Sequence, residues 1–235
     1  MPDTKRLLLR RVSLRSMACV LKPLMAYRLG RAIRQLLELP MGKVPGNDLL
    51  EALRTSWGNE AFSANVPFLA EVAKHAATTE GPILECGSGL TTIILGALAG
   101  RRGVPVHTLE HVPAWFGQVF TQLRRYRIVG IALHQTRLIS YGPFEWYELP
   151  KRDWPSGFPL VVCDGPPNWT TTGGRYGLLP LVGPQMPAGA VILLDDANCP
   201  PEVLVRQRWH LERSMREEIH QGPDRAYAVL TLGGH

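Results

Sequence analysis

The chain has 235 residues, 45% of them hydrophobic and 20% charged, a balance that suits one α/β domain with an appendage and excludes a disordered chain. Its net charge of +6 is lopsided: residues 1–40 carry nine Lys and Arg against two acids, whereas residues 41–235 hold 17 basic and 18 acidic residues. With no internal repeat, no apolar run long enough to cross a bilayer as a helix, and four scattered cysteines without a Cys-x-x-Cys pair, solenoids, helical membrane proteins and disulfide scaffolds are excluded too.

The basic start, KRLLLRR, is followed by Arg15 and Lys22, which interrupt any apolar core of a signal peptide, so a cytoplasmic protein is expected. Leu21, Met25, Leu29, Ile33 and Leu37 recur at helical spacing, with Pro23 in a first turn and Pro40 and Gly42 ending the run. Arg28, Arg31 and Arg34 fall on another face. Two readings stand for this stripe: packing on the main domain or on a second subunit of a homo-oligomer, or peripheral contact of residues 1–40 with an anionic membrane surface. Nucleic acid is disfavoured as a partner, because the near-neutral remainder offers no second basic surface. Residues 1–47 thus read as a basic helical extension and linker, and residues 48–235 as the main domain.

Asp48 is expected to cap a helix running to Trp57, and Asn65 the next, with Pro67 in its first turn. From there strands and helices alternate. Strands are expected at 82–86, 104–110, 129–134, 159–164 and 190–195, and helices over 90–99, 113–125, 174–186 and from Pro200. Two final strands near 215–220 and 226–232 would form an antiparallel end to a mainly parallel sheet covered on both faces. Residues 139–157 show no helical period. Tyr141, Phe144, Trp146, Tyr147 and Trp154 concentrate there, either walling a pocket or covering the sheet.

Residues 83–95, ILECGSGLTTIIL, carry the strongest signal. Gly87 and Gly89 let backbone approach a ligand after a buried strand, and the following helix turns its amides and positive dipole end toward it. Glu110, ending the next strand, is spaced to accept hydrogen bonds from two ribose hydroxyls. The turn lacks the third Gly of a pyrophosphate fingerprint, and Glu85 at the strand tip would repel a pyrophosphate but suit an ammonium. The alternative for Glu85 is a carboxylate bonded to turn amides.

With Glu85-x-Gly87-x-Gly89, Glu110, Asp164-Gly165-Pro166-Pro167 and GAVILLDD at 189–196 in order, residues 80–235 resemble the class I S-adenosylmethionine-dependent methyltransferases. The resemblance implies a Rossmann-like, doubly wound seven-stranded sheet with an antiparallel last strand. It also implies S-adenosylmethionine as cofactor, bound by Glu85, Gly87, Ser88, Gly89, Thr91, Glu110, His111 and Asp164. Two departures are Thr91 in place of a Gly and a third strand ending His134-Gln135-Thr136 without an acid.

Methyl transfer to a hydroxyl needs a base or a metal ion. Adjacent strand tips gather Asp164, Asp195 and Asp196, with Asn198 nearby, and hard oxygen ligands suit Mg²⁺. This group is similar to that of the metal-dependent catechol-type O-methyltransferases, with Asp196 where an Asn is usual. The alternative makes Asp164 the base, with Asp195 as a second catalytic candidate, and has Asp195 and Asn198 bond loop amides. Trp57, Ser63 and Asn65 are candidates for a lid, and His134 is the histidine to test as a base. Cys86 and Cys163 read as core thiols on neighbouring strands. The expected function is O-methylation of a small-molecule or glycan-like acceptor. The rivals are an aminopropyl-type transferase and a non-catalytic, cofactor-binding or membrane-docked scaffold subunit.

Overall fold

A computed structural model describes residues 23–58 and 63–234. Leu21, Cys19 and the basic cluster at residues 5–15 lie outside the described residues. Helix α1 covers 23–38, with Leu29, Ala32, Ile33 and Leu36 buried and Arg28, Arg31 and Arg34 exposed. Its buried residues join one core with α2 (Asn47–Trp57), α3 (Val66–Thr78) and α4 (Leu90–Leu98). The Arg101 guanidinium donates to the Leu37 and Leu39 carbonyls at 2.6 and 3.1 Å, satisfying acceptors at the end of α1. The apolar stripe of α1 therefore packs on the main domain. No helix among the described residues is long and apolar enough to cross a membrane.

Asp48 does not cap α2. Gly46 is the N-cap and no side chain bonds the first amides, so Asp48 falls inside the first turn and meets the positive end of the helix dipole instead. Asn65 does cap α3, its Oδ1 accepting from the Phe68 amide at 3.0 Å, with Pro67 in the first turn. Its Nδ2 also donates to Asp224 Oδ1 and the Arg225 carbonyl, tying α3 to the turn between the last two strands.

In chain order the strands are β1 (Ile83–Cys86), β2 (Val106–Glu110), β3 (Ile131–Gln135), β4 (Leu138–Ser140), β5 (Glu145–Tyr147), β6 (Leu160–Cys163), β7 (Val191–Leu194), β8 (Met215–Gln221) and β9 (Ala226–Leu232). Seven form one sheet in the order β3-β2-β1-β6-β7-β9-β8, in which β9 alone runs antiparallel to both its neighbours. Side chains alternate across it. Ile83, Val162 and Leu193 join the core under α1–α4 and α5 (Pro113–Arg125), while Leu84, Cys163 and Leu194 face the core under α6 (Leu178–Val182) and α7 (Pro200–Glu212). Order reverses between β1 and β6, which places the ligand crevice at their C-terminal tips.

Two stretches differ from expectation. Residues 138–147 form the short hairpin β4–β5, whose Phe144, Trp146 and Tyr147 cover the second face of the sheet. The helix expected over 174–186 is broken into a 3₁₀ turn at Gly174–Gly177, α6, and another at Gly183–Gln185. Gly177, Gly183 and Pro184 disfavour a continuous helix, since glycine leaves the backbone loose and proline lacks the amide.

Candidate active site

Cys86 and Cys163 are register partners on β1 and β6, as their sequence positions suggested, and burial pushes the Cys86 thiol well up. Just beyond them the two turns touch: a Cβ on Gly87, which has φ +87°, would lie 3.3 Å from the Gly165 nitrogen. One on Gly165 would lie 2.6 Å from the Tyr147 hydroxyl. A Cβ on Gly89, at the head of α4, would meet nothing within 4 Å. The backbone is thus pressed tight on one side of the turn and open on the other, where the first amides of α4 have no partner inside the helix.

Glu110, at the tip of β2, is buried. Its Oε2 accepts from the Ser88 amide at 2.9 Å and the Ser88 hydroxyl at 2.8 Å, and its Oε1 from the Val112 amide at 2.7 Å. His111 lies 3.6 Å from Oε1 and its ring centroid 5.8 Å from that of Tyr147; burial lowers its pKa, which favours the neutral imidazole. Tyr147 is fully buried, and its hydroxyl has no partner among the described residues. Burial, with Cys86 and Glu110 nearby, holds that phenol well above its ordinary range, so it stays protonated and able to donate.

These groups fit a nucleoside-bearing cofactor. Leaving a buried hydroxyl unpaired costs about 1–3 kcal/mol, and an acceptor on a ligand between the β2 and β6 tips would satisfy Tyr147. A carboxylate offers about four acceptor directions. Glu110 uses three, one of them on a Ser88 hydroxyl that a ribose hydroxyl can replace.

Glu85 stands elsewhere. It shares the α4 face of the sheet with Ile83, is fully buried, and accepts from three hydroxyls. Thr91 bonds its Oε1, and Thr92 and Thr108 bond its Oε2 at 2.7 Å each. Both carboxylate oxygens are taken up inside the protein, by threonines rather than the turn amides considered from sequence. Burial outweighs the three bonds and raises its pKa to about 7. Thr91, expected against the cofactor, is a wall of this cage.

Asp164, Asp195 and Asp196 do converge, with one oxygen of each within 4.8 Å of the others. Asp195 is fully buried and neither carboxylate oxygen has a partner of good hydrogen-bond geometry among the described residues; burial and the neighbouring Asp196 raise its pKa to about 6. Asp164 and Asp196 reach the surface, with side chains 28% and 22% exposed. Asp196 adopts φ +56°, an uncommon conformation for an L-residue that turns the chain sharply at the β7 tip. Asn198 accepts from the Ala226 amide at 3.1 Å, and the Asp196 amide favours the ionised Asp195 carboxyl without outweighing its burial.

Arg175 sits among these acids. Its side chain is 3% exposed. Its Nη2 donates to Asp164 Oδ1 at 3.1 Å, the Asp164 carbonyl at 3.1 Å and Asp196 Oδ2 at 2.9 Å. Nη1 donates to the Asp195 carbonyl and lies 3.7 Å from Glu202. Arg225 bonds Asp196 Oδ1 at 3.1 Å. Mg²⁺ does not fit this arrangement, because two of its three expected ligands, Asp164 and Asp196, already bond a buried guanidinium. Burial and the nearby Asp195 push Asp164 well above the ordinary carboxylate range despite Arg175.

The remaining candidates scatter. His134 Nε2 lies 3.2 Å from His107 Nδ1, beside Trp154. Two strands separate it from β6, roughly 14 Å at the usual strand spacing, too far to serve an acceptor at Asp164. With Arg137, Glu148 and Lys151 it lines an open groove of about 630 Å³. Trp57 and Ser63 are buried, and Asn65 is the α3 cap. Sequence reasoning gave no role to Arg175, Thr92 or Thr108.

No protein-family model matches the chain, and neither does any curated protein. Among solved structures it is similar to the O-methyltransferase TomG of Streptomyces achromogenes, involved in tomaymycin synthesis and solved with S-adenosylmethionine. The TM-score is 0.57 at 16% identity, over 81% of this chain and 92% of that one. It is also similar to precorrin-6y C5,15-methyltransferase from Geobacter metallireducens (TM-score 0.55, 12% identity, 74% and 91% covered). A third is an O-methyltransferase from Bacillus cereus solved with S-adenosylhomocysteine (TM-score 0.54, 14% identity, 79% and 90% covered). The chain has the fold of the class I S-adenosylmethionine-dependent methyltransferases.

Proposed function

We propose that this protein is an S-adenosylmethionine-dependent methyltransferase acting on a hydroxyl of a small-molecule acceptor, with Asp164 taking the proton. One observation carries the reading: within this fold, the open Gly89 turn, Glu110 and the unpartnered Tyr147 hydroxyl converge beside Asp164 at the strand-order reversal. When bound, S-adenosylmethionine would supply a methyl carbon activated by the adjacent sulfonium, with the thioether S-adenosylhomocysteine as the leaving group.

The chain's own residues supply binding, alignment and the base. Glu110 accepts from the ribose, and the first amides of α4 meet the polar end of the ligand. Arg175 fixes Asp164 through Oδ1, leaving the second oxygen on a partly exposed side chain for the acceptor. As the acceptor oxygen bonds the methyl carbon in line, its proton passes to Asp164. Holding reactants in line is worth roughly 7–11 kcal/mol, and the upward shift at Asp164 makes it a stronger proton acceptor once ionised.

Calorimetric titration with S-adenosylhomocysteine tests the reading. Micromolar binding is expected for the wild type, weakened about 100-fold or more in Glu110→Ala, a loss of roughly 3 kcal/mol for charge-assisted ribose bonds. A wild type that binds neither this compound nor S-adenosylmethionine overturns the reading in favour of a non-catalytic scaffold.

A further inference from the structure

We propose that Arg175 is the resident cation of the acidic site. Its guanidinium takes the place of a divalent ion among Asp164, Asp195 and Asp196, orients Asp164 toward the acceptor, and makes the site indifferent to added metal. The orienting role rests on the methyltransferase reading; the exclusion of metal does not.

Four features carry the inference. First, the guanidinium bonds side-chain oxygens of Asp164 and Asp196 and main-chain oxygens of Asp164 and Asp195, linking the tips of β6 and β7. An ion binding the same carboxylates would have to displace a side chain that is 3% exposed. Second, the backbone places the arginine: Gly173 and Gly174, with φ of +89° and +53°, turn the chain into the 3₁₀ turn that carries Arg175. Third, Glu202 at the start of α7, 3.7 Å from Nη1, gives the charge a further anchor outside the triad. Fourth, the planar fork binds several oxygens in fixed directions, which a lysine or a hydrated ion does not reproduce. Arg175 is therefore a positioning residue: it acts through Asp164 and does not itself contact the acceptor. The two Asp195 oxygens, buried and without a well-aligned partner among the described residues, are a feature a divalent ion would satisfy better, and they make the wild-type protein the deciding sample.

Mn²⁺ titrations followed by electron paramagnetic resonance test the proposal on the full chain as wild type, Arg175→Met, and Arg175→Met combined with Asp164→Asn. Wild type is expected to leave the signal of aqueous Mn²⁺ unchanged at millimolar metal, and EDTA to leave its melting temperature unchanged. Arg175→Met is expected to sequester one Mn²⁺ per chain, and the double variant to lose it. Wild type that takes up one Mn²⁺ per chain, with the uptake lost in Asp164→Asn, overturns the proposal. So does a folded Arg175→Met protein that ignores Mn²⁺. If Arg175→Met does not fold, Arg175→Lys replaces it: a compact ammonium cannot bridge both aspartates, so partial Mn²⁺ uptake is expected and its absence counts against the proposal. S-adenosylhomocysteine titrated into the same wild-type sample reads the methyltransferase assignment separately, so failure of one leaves the other standing.

Discussion

Glu85 lies on β1 and Asp164 just past the end of the neighbouring β6, and the protein handles their charges by opposite means. Glu85 is sealed beneath α4 with three threonine hydroxyls. Hydroxyls alone do not offset the lost hydration of an ion, so its pKa climbs to about 7 and near neutrality the group is partly protonated. Asp164 has a buried guanidinium for a partner and a side chain open to the crevice. The first arrangement stores an acid as a structural tie between β1, β2 and α4. The second keeps an acid oriented and reachable, which is what proton transfer requires. A carboxylate at a strand tip is therefore not by itself a ligand contact; its partners decide.

The comparison breaks most visibly at Arg175. Arg175→Met leaves Asp164, Asp196 and Glu202 facing one another around an uncharged side chain, with Arg225 still on Asp196. Removing one partner of a buried ion pair typically costs 3–5 kcal/mol, and the partial exposure of both aspartates puts the expected loss near the lower end, about 3 kcal/mol. Urea unfolding at neutral pH measures it. A loss below about 1 kcal/mol would mean that the acids relax into water and the guanidinium is no keystone.

Much of this frame is legible in the sequence. The apolar runs of β1, β2, β6 and β7 end in glycine or acid, and Asn65 with Pro67 announces α3. Period-two alternation already places Glu85 opposite Leu84 and Cys86, on the face with Ile83, so its turn away from the crevice was readable from the strand itself. Its partners were less so, because Thr108 is supplied by the neighbouring strand as the register partner of Glu85. Arg175 follows no local rule. It stands 11 residues after Asp164 and 20 before Asp195 and reaches both only through a left-handed glycine pair. The β4–β5 hairpin was hidden for another reason: strands of three residues are too short for any period to register.

Glu85 sharpens the comparison through pH. Its pKa is about 7 folded against 4.5 unfolded, so the folded state binds the proton more tightly. The associated stability is complete below pH 4.5, falls as pH rises toward 7, and then levels off, a total of about 3 kcal/mol. Glu85→Gln, a neutral amide of the same shape, is expected to flatten that slope and to be the more stable protein at pH 8. Chemical denaturation of both proteins between pH 5 and 8 decides it. Parallel pH profiles would mean that Glu85 stays ionised in its cage.

The smallest effect is the most specific. Thr108→Val removes one hydroxyl donor from Glu85 and keeps the β-branched shape that suits the middle of β2. Near pH 5 the folded protein holds Glu85 protonated, so the missing bond is a neutral one and little stability is lost. Toward pH 8 the folded protein must hold an ionised Glu85 with two donors instead of three, and the cost rises to roughly 1–2 kcal/mol. The variant therefore steepens the pH slope that Glu85→Gln abolishes, and in the double variant the effect of Thr108→Val no longer depends on pH. The same substitution leaves the Arg175 network untouched, because the Thr108 hydroxyl donates to Glu85 and β1 stands between β2 and β6. A pH-independent loss in Thr108→Val alone would assign the threonine to packing and leave Thr91 and Thr92 to hold the carboxylate.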